Sequence, residues 1–150
     1  MIGLAPGGAS RRDYGDVMAR FVIDPPTLLR LADGDHSVNP EHRLVAPNPI
    51  RSQTLDLLLQ RVRGGELSEQ AALELHERIT EVKMRLLGDR VSRRTAWQIA
   101  REHGWDTLHD AEYLAVAKLQ ADALTTVDPG LASKAAGIVP LAPFTDLLTE

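Results

Sequence analysis

Two stretches decide the fold: FVIDPP at residues 21–26 and ALTTVDPG at residues 123–130. Each is a short, largely apolar run that reaches an acid and then a proline. Continuous apolar runs of this length predict strands that are buried on both faces of a parallel sheet. The two acids, Asp24 and Asp128, then stand at the carboxyl ends of strands, and this is the edge at which open parallel sheets bind their ligands.

The sequence between these strands alternates further strand and helix patterns. Apolar spacing predicts, in chain order, a helix at residues 28–31, a strand at 44–46, and helices at 48–63, 68–86, 92–103 and 107–120. Asn48 and Ser92 are the predicted caps of two of these helices, and Gly104 is a predicted end. A last strand is predicted around residues 138–139, followed by a short helix from Pro143. This alternation predicts an α/β fold with a mainly parallel sheet covered on both faces.

Composition limits the classes of protein that the chain can belong to. It has 150 residues, 17 basic and 21 acidic side chains, a net charge of −4 and no cysteine. We expect a flexible leader at residues 1–19 and one folded domain at residues 20–150. Disulfide frameworks, thiolate zinc sites and cysteine nucleophiles are excluded. The sequence shows neither an apolar run of about 20 residues nor a signal peptide, so we expect no membrane association and a cytoplasmic location.

Three acids form the pattern that points to chemistry. Asp24 and Asp128 end strands, and Asp110 lies in the first turn of the helix predicted from Thr107. Carboxylates that converge at one sheet edge repel each other unless a cation lies among them, and carboxylate oxygens suit Mg²⁺ or Mn²⁺. Such a metal favours hydrolysis of a phosphodiester. The alternative is that Asp24 and Asp128 only cap the helices that follow them.

At this point the chain resembles the PIN domain, and within it the VapC-like toxins of type II toxin–antitoxin pairs. The resemblance covers about residues 20–145 and rests on four motifs: FVID at residues 21–24, Ala46-Pro47 before the second helix, DAEYLAVA at 110–117 and LTTVD at 124–128. It implies a three-layer α/β/α sandwich and a Mg²⁺- or Mn²⁺-dependent endoribonuclease that cleaves RNA. It also implies a homodimer and a small antitoxin protein whose tail covers the active site.

The family's site residues transfer to this sequence one by one. The resemblance implies that Asp24, Asp110 and Asp128 are the first, third and fourth acids, which are catalytic and bind the metal. Thr126 matches a hydroxyl residue that orients a carboxylate or a water. The position of the second acid, a glutamate in the family, is Gln53 here.

Gln53 brings an amide oxygen to this position but no charge, which weakens a site for a hard cation. Asp56 lies one turn further along the same predicted helix. It is either a stand-in for the missing acid or an exposed helix acid. The family also often has a small hydroxyl residue or Asn at the position of Pro26.

Arg93 and Arg94 lie at the start of a predicted helix in the most basic stretch of the chain. Arginines and free amides at a helix start can bind phosphate, so these two are candidate RNA-binding residues. Ordinary surface charge and an antitoxin contact are the alternatives.

The leading hypothesis is therefore a ribonuclease toxin. Gln53 and Pro26 motivate a second one, a catalytically weakened PIN-like binding module that acts through antitoxin or dimer contacts. A receiver-like signalling domain is disfavoured, because the expected pair of acids beside the first strand is missing.

Overall fold

The structure, a computed structural model, describes residues 18–149. These residues form four strands, β1 (Arg20–Ile23), β2 (Arg43–Pro47), β3 (Arg85–Leu87) and β4 (Ala123–Thr125), and six helices, α1 (Pro25–Asp33), α2 (Ile50–Arg63), α3 (Glu69–Glu81), α4 (Arg90–His103), α5 (His109–Gln120) and α6 (Pro129–Ala135). A 3-10 helix follows at Phe144–Leu147. The predicted leader lies outside the described residues except for Met18 and Ala19. Ala19 is buried, and its carbonyl accepts a hydrogen bond from the Arg43 amide (2.9 Å).

The strands form one sheet in the order β3-β2-β1-β4, and every pair is parallel. Helix α5 packs on β1, β2 and β4 and also on α4, while α1, α2 and α3 pack on one another. The predicted three-layer α/β/α sandwich with a parallel central sheet is confirmed. Because β1 and β4 are neighbours, the carboxyl ends of the two strands predicted to carry acids meet at one edge.

The first of the two deciding stretches forms the centre of the core. Phe21, Val22 and Ile23 of β1 are each 0% exposed. Full burial of such side chains contributes about 1.5–3 kcal/mol each. Leu114 of α5 and Leu124 of β4 are equally buried and complete the packing around β1. The strand that ends at Asp24 is therefore held rigidly.

The predicted helix at residues 68–86 is too long. Helix α3 ends at Glu81, and residues 85–87 form β3 at the edge of the sheet, paired with β2. Leu86 continues the apolar spacing of Ile79 and Val82, so the sequence pattern extended the helix across the connection. Pairing with β2 gives the backbone of this segment its hydrogen bonds, which decides in favour of a strand.

The predicted strand at residues 138–139 is also wrong. The amides of Ile138 and Val139 both donate to the Ala135 carbonyl, at 2.9 and 3.1 Å, in the turn that ends α6. The chain meets the sheet only beyond this turn. There Leu124 donates to the Pro140 carbonyl (2.9 Å) and accepts from the Ala142 amide (2.9 Å).

The predicted caps at Asn48 and Ser92 are wrong as well. Helix α2 begins after Pro49 without a side-chain cap. Helix α4 is capped by Asp89, whose Oδ1 accepts from the Ser92 amide (2.8 Å). The predicted end at Gly104 is confirmed: this glycine has φ +67°, the left-handed conformation that glycine adopts most easily.

The helices of the described region are all too short or too polar to cross a lipid bilayer.

Candidate active site at the carboxyl edge of the sheet

Asp24 is the most buried charged group at the carboxyl edge. It follows β1, is 2% exposed and caps α1. Its Oδ1 accepts hydrogen bonds from the amide (3.3 Å) and the hydroxyl of Thr27, and its Oδ2 accepts from the Thr126 hydroxyl (2.7 Å). Burial raises the pKa of the Asp24 carboxyl above its usual value, and the bonds from Thr27 and Thr126 partly oppose this shift. The anion is thus stabilised by hydroxyl groups but not by a nearby cation of the described chain.

Two threonines join the ends of β1 and β4. The Thr126 hydroxyl, which donates to Asp24, also accepts from the Asp128 amide (3.0 Å). The Thr27 hydroxyl in turn accepts from the Val127 amide (3.0 Å). These bonds explain why β4 ends at Thr125 instead of continuing to Val127 as predicted, because the following amides bond to side chains instead of a neighbouring strand. They place Thr126 directly against the Asp24 carboxylate.

Asp128 is half-buried and caps α6. Its Oδ1 accepts from the Gly130 amide (2.9 Å). Both strand-end acids therefore have the capping role that the sequence allowed as an alternative. Capping uses Oδ1 of each carboxylate and is compatible with a second role for Oδ2, since a carboxylate accepts about four hydrogen bonds or ligand contacts.

Asp110 lies in the first turn of α5, as predicted, and forms an ion pair there. Its Oδ2 lies 2.8 Å from Nζ of Lys134 on α6. The Lys134 ammonium also lies 5.0 Å from the centre of the Trp105 ring, a cation–π contact. Neither Lys134 nor Trp105 is identifiable from the sequence as part of the site, because no local spacing relates them to Asp110.

Gln53 reaches the same edge from α2. Its Oε1 accepts a hydrogen bond from the Tyr113 hydroxyl (2.6 Å), and Tyr113 is 3% exposed. Burial raises the pKa of Tyr113, and the negative charges of Asp24, Glu112 and Asp110 raise it further. The Tyr113 hydroxyl thus remains protonated and fixes the orientation of the Gln53 amide. Tyr113 belongs to the DAEYLAVA motif, but local sequence does not identify it as the partner of Gln53.

Asp56 is exposed on α2, whereas Gln53 is half-buried. The structure gives Asp56 no hydrogen bond or ion pair to another described residue. It does not join the network at the sheet edge.

The carboxylates are not gathered closely around one point. Within residues 18–149 no group of three Asp, Glu or His side chains is close enough to hold a metal ion. The chemistry of Asp24, Asp110 and Asp128 fits a hard divalent cation, which prefers carboxylate oxygens. Asp110 Oδ2, however, is paired with Lys134, so a cation shared by the three acids would bind the other oxygen of Asp110 or compete with Lys134 for this carboxylate.

Arg93 and Arg94 are exposed at the fourth and fifth positions of α4, because the helix begins at Arg90, earlier than predicted. Arg93 donates from Nη1 to the Gly88 carbonyl (2.8 Å) and lines a cavity of about 180 Å³ with Glu112, at the ends of β2 and β3. Glu112 lies two residues after Asp110 and points away from it on α5. The structure places it in this cavity, next to a predicted RNA-binding arginine.

No protein-family model matches the chain. No curated protein matches it either. Among solved structures the chain is similar to the crystal structure of PAE2754 from Pyrobaculum aerophilum, with 21% identity and a TM-score of 0.62, over 82% of this chain and 91% of that one. This similarity shows the fold, which the two chains share over most of their lengths.

Proposed function

We propose that the protein is a metal-dependent endoribonuclease with its active site at the carboxyl edge. The observation that carries this proposal is Asp24, a carboxylate that is 2% exposed at a strand end and has no cation of the described chain beside it. An isolated buried anion is costly, and a bound cation lowers that cost. Asp110 and Asp128 lie at the ends of elements that meet at the same edge.

Asp24, Asp110 and Asp128 are the residues that would hold Mg²⁺ or Mn²⁺. Such an ion supplies a water of lowered pKa and stabilises charge on a phosphate oxygen. The chain's own residues have supporting roles. Thr27 and Thr126 hold the two oxygens of Asp24, and Tyr113 orients Gln53 where the family has a glutamate.

We further propose that this activity belongs to a PIN-like domain of the VapC type, acting on RNA in the cytoplasm as the toxin of a toxin–antitoxin pair. The motifs that carry the resemblance support this. DAEYLAVA forms the buried part of α5 with Asp110 at its start, and LTTVD runs from β4 to the cap of α6. A small antitoxin and a homodimer are the partners that this assignment implies.

The test is RNA cleavage with Mg²⁺ or Mn²⁺ by the wild type, Asp24→Asn and Asp128→Asn. Both variants are expected to lose at least a hundredfold in rate while remaining folded, because asparagine keeps the capping oxygen. Asp33→Asn, an exposed acid at the end of α1, serves as the control and should cleave like the wild type. Equal cleavage by the wild type and Asp128→Asn, or cleavage that persists in EDTA, would overturn the assignment.

The capping roles of Asp24 and Asp128 and the neutral Gln53 favour a second function, a binding module that has lost efficient catalysis. Metal titration separates the two functions. The binding module predicts no measurable Mn²⁺ binding at millimolar concentrations, together with tight binding to a small protein encoded beside it.

A further inference from the structure

Three arginines begin three neighbouring strands at the edge opposite the candidate active site. Arg20, Arg43 and Arg85 are the first residues of β1, β2 and β3, and all three are exposed. Arg20 pairs with Arg43 in register, and Arg85 pairs with Val45. Laterally paired residues of a sheet, and residues two apart on a strand, point to the same face. All three guanidinium groups therefore project from one face of the sheet.

These side chains border a groove of about 1060 Å³, here called the amino-edge groove. Its charged lining residues are Arg20, Arg43, Lys83, Arg85 and one acid, Glu81. Within residues 18–149, none of the four side-chain cations forms an ion pair, although the Asp122 carboxylate accepts from the Arg20 backbone amide (2.8 Å). Like charges on adjacent strands repel each other. The groove is thus a concentrated positive region in a chain of net charge −4.

The same lining contains a buried hydrogen-bond donor that has no partner in the described part of the chain. His42 is 6% exposed and lines the groove. Its Nδ1 accepts from the Ala19 amide (3.3 Å), so the neutral ring carries its proton on Nε2. Nε2 is buried and has no hydrogen-bond partner among residues 18–149. An unpaired buried donor costs about 1–3 kcal/mol, so an acceptor supplied by a ligand would relieve this cost.

We propose that the amino-edge groove binds the phosphate groups of a nucleotide or of an RNA strand. A guanidinium group can donate two hydrogen bonds to phosphate oxygens. Neighbouring strands lie about 4.8 Å apart, so the arginines that begin them can reach one group with several charged oxygens. Val82, Met84 and Leu87, which are all half-buried, add apolar surface to the lining. This surface suits the sugar and base of a nucleotide better than a free inorganic ion. The inference does not depend on cleavage at the opposite edge.

The test is binding of a fluorescein-labelled 12-nucleotide RNA, followed by anisotropy in EDTA so that no metal-dependent cleavage occurs. The triple variant Arg20→Gln/Arg43→Gln/Arg85→Gln is expected to bind at least tenfold more weakly. Its slope of log affinity against log salt should fall by about two, since each lost phosphate contact on a single strand removes about 0.7. The matched control Arg61→Gln/Arg63→Gln/Arg101→Gln removes the same charge from exposed helix positions and should change affinity less than threefold.

Competitors then identify the source of the phosphate. Displacement of the RNA by millimolar ATP identifies a site of nucleotide size, and resistance to ATP identifies an extended strand; either result supports the proposal. The proposal would be overturned if the wild type bound neither RNA nor ATP at 50 mM salt, or if both triple variants lost the same affinity for RNA. It would also be overturned if poly-glutamate displaced the labelled RNA as well as unlabelled RNA does. Should the triple variant fail to fold by circular dichroism, the single variants Arg43→Gln and Arg85→Gln decide on the same criteria.

Discussion

Replacing Lys134 by methionine is expected to tighten Mn²⁺ binding while it lowers stability. Lys134 Nζ lies 2.8 Å from Asp110 Oδ2 and 5.0 Å from the Trp105 ring centre. Methionine keeps an unbranched side chain and removes the charge. If Asp110 is a metal ligand, the lysine competes with the metal for the same carboxylate, so its removal leaves Asp110 free to bind.

Exposure sets the size of both effects. The two side chains of the pair are 40% and 38% exposed, so solvent screens their attraction, and such pairs contribute about 0.2–1 kcal/mol. An exposed cation–π contact adds about 0.5–1 kcal/mol. We therefore expect a stability loss of roughly 1 kcal/mol, which is a fall of about 2–4 °C in Tm for a domain of this size. The Mn²⁺ affinity should rise by at most about fivefold, which is the equivalent of the ion pair alone.

Calorimetric Mn²⁺ titration and thermal unfolding of the wild type and Lys134→Met measure the two effects. Lys118→Met is the control. It removes the same charge from the exposed last turn of α5, where the lysine has no acidic partner among the described residues. An equal gain in Mn²⁺ affinity in both variants would show that the effect comes from the change in net charge. An unchanged Kd in Lys134→Met would refute the idea that Lys134 competes with a metal for Asp110.

Three further predictions follow from single contacts. Gln53→Glu adds the missing negative charge beside Tyr113 and should tighten Mn²⁺ binding by about tenfold, or roughly 1.4 kcal/mol. An unchanged Kd in calorimetric titration would show that position 53 does not face the metal. Because burial raises the pKa of Asp24, the folded chain binds this proton more tightly than the unfolded chain, so stability should fall as pH rises from 3.8 through the folded-state pKa. In urea unfolding, the free energy of unfolding should decline less between pH 4 and pH 7 for Asp24→Asn than for the wild type. An identical decline in the two proteins would contradict this reasoning. A Cβ at Gly104 would meet no atom within 4 Å, but φ is +67° there, so Gly104→Ala should lower the free energy of unfolding in urea by about 1 kcal/mol. The control Gly64→Ala, at φ −82°, should change it little. Equal losses in the two variants would contradict the role of the positive φ.

The sequence predicted the sheet where burial is complete and failed where it is partial. Apart from the exposed Arg20, the residues of β1 and β4 are all buried, and an uninterrupted apolar run of this length is typical of a strand covered on both faces. The edge strand β3 has three residues, of which Arg85 is exposed and the other two are half-buried. Three residues are too few to show an apolar pattern typical of a strand, and these continue the helical apolar spacing of α3. Its conformation depends on pairing with β2, which local sequence does not reveal.

The same division applies to the candidate site. The strand-end position of Asp24 and the helix-start position of Asp110 follow from the sequence, because local pattern places each of them. The contacts of Asp110 with Lys134 and of Gln53 with Tyr113 join residues 24 and 60 positions apart. Only the packing of α5 against its neighbours brings them together. These contacts determine whether the side chains are free to bind a cation. The sequence therefore predicted which acids lie at the edge but not which of them have ion-pair or hydrogen-bond partners.

The bond between Thr126 and Asp24 spans 102 residues, and this separation has a consequence for synthesis of the chain. Closing a loop of that length costs roughly 4 kcal/mol in chain entropy, and the cost is recovered only when β4 pairs with β1. A nascent chain made as far as α5 contains both β1 and β2, but its Asp24 still lacks the partner that holds Oδ2. The carboxyl edge is therefore among the last parts to form. A chain synthesised only as far as Thr125 would contain the residues of all four strands but would lack Thr126 and Asp128, so its carboxyl edge would be incomplete.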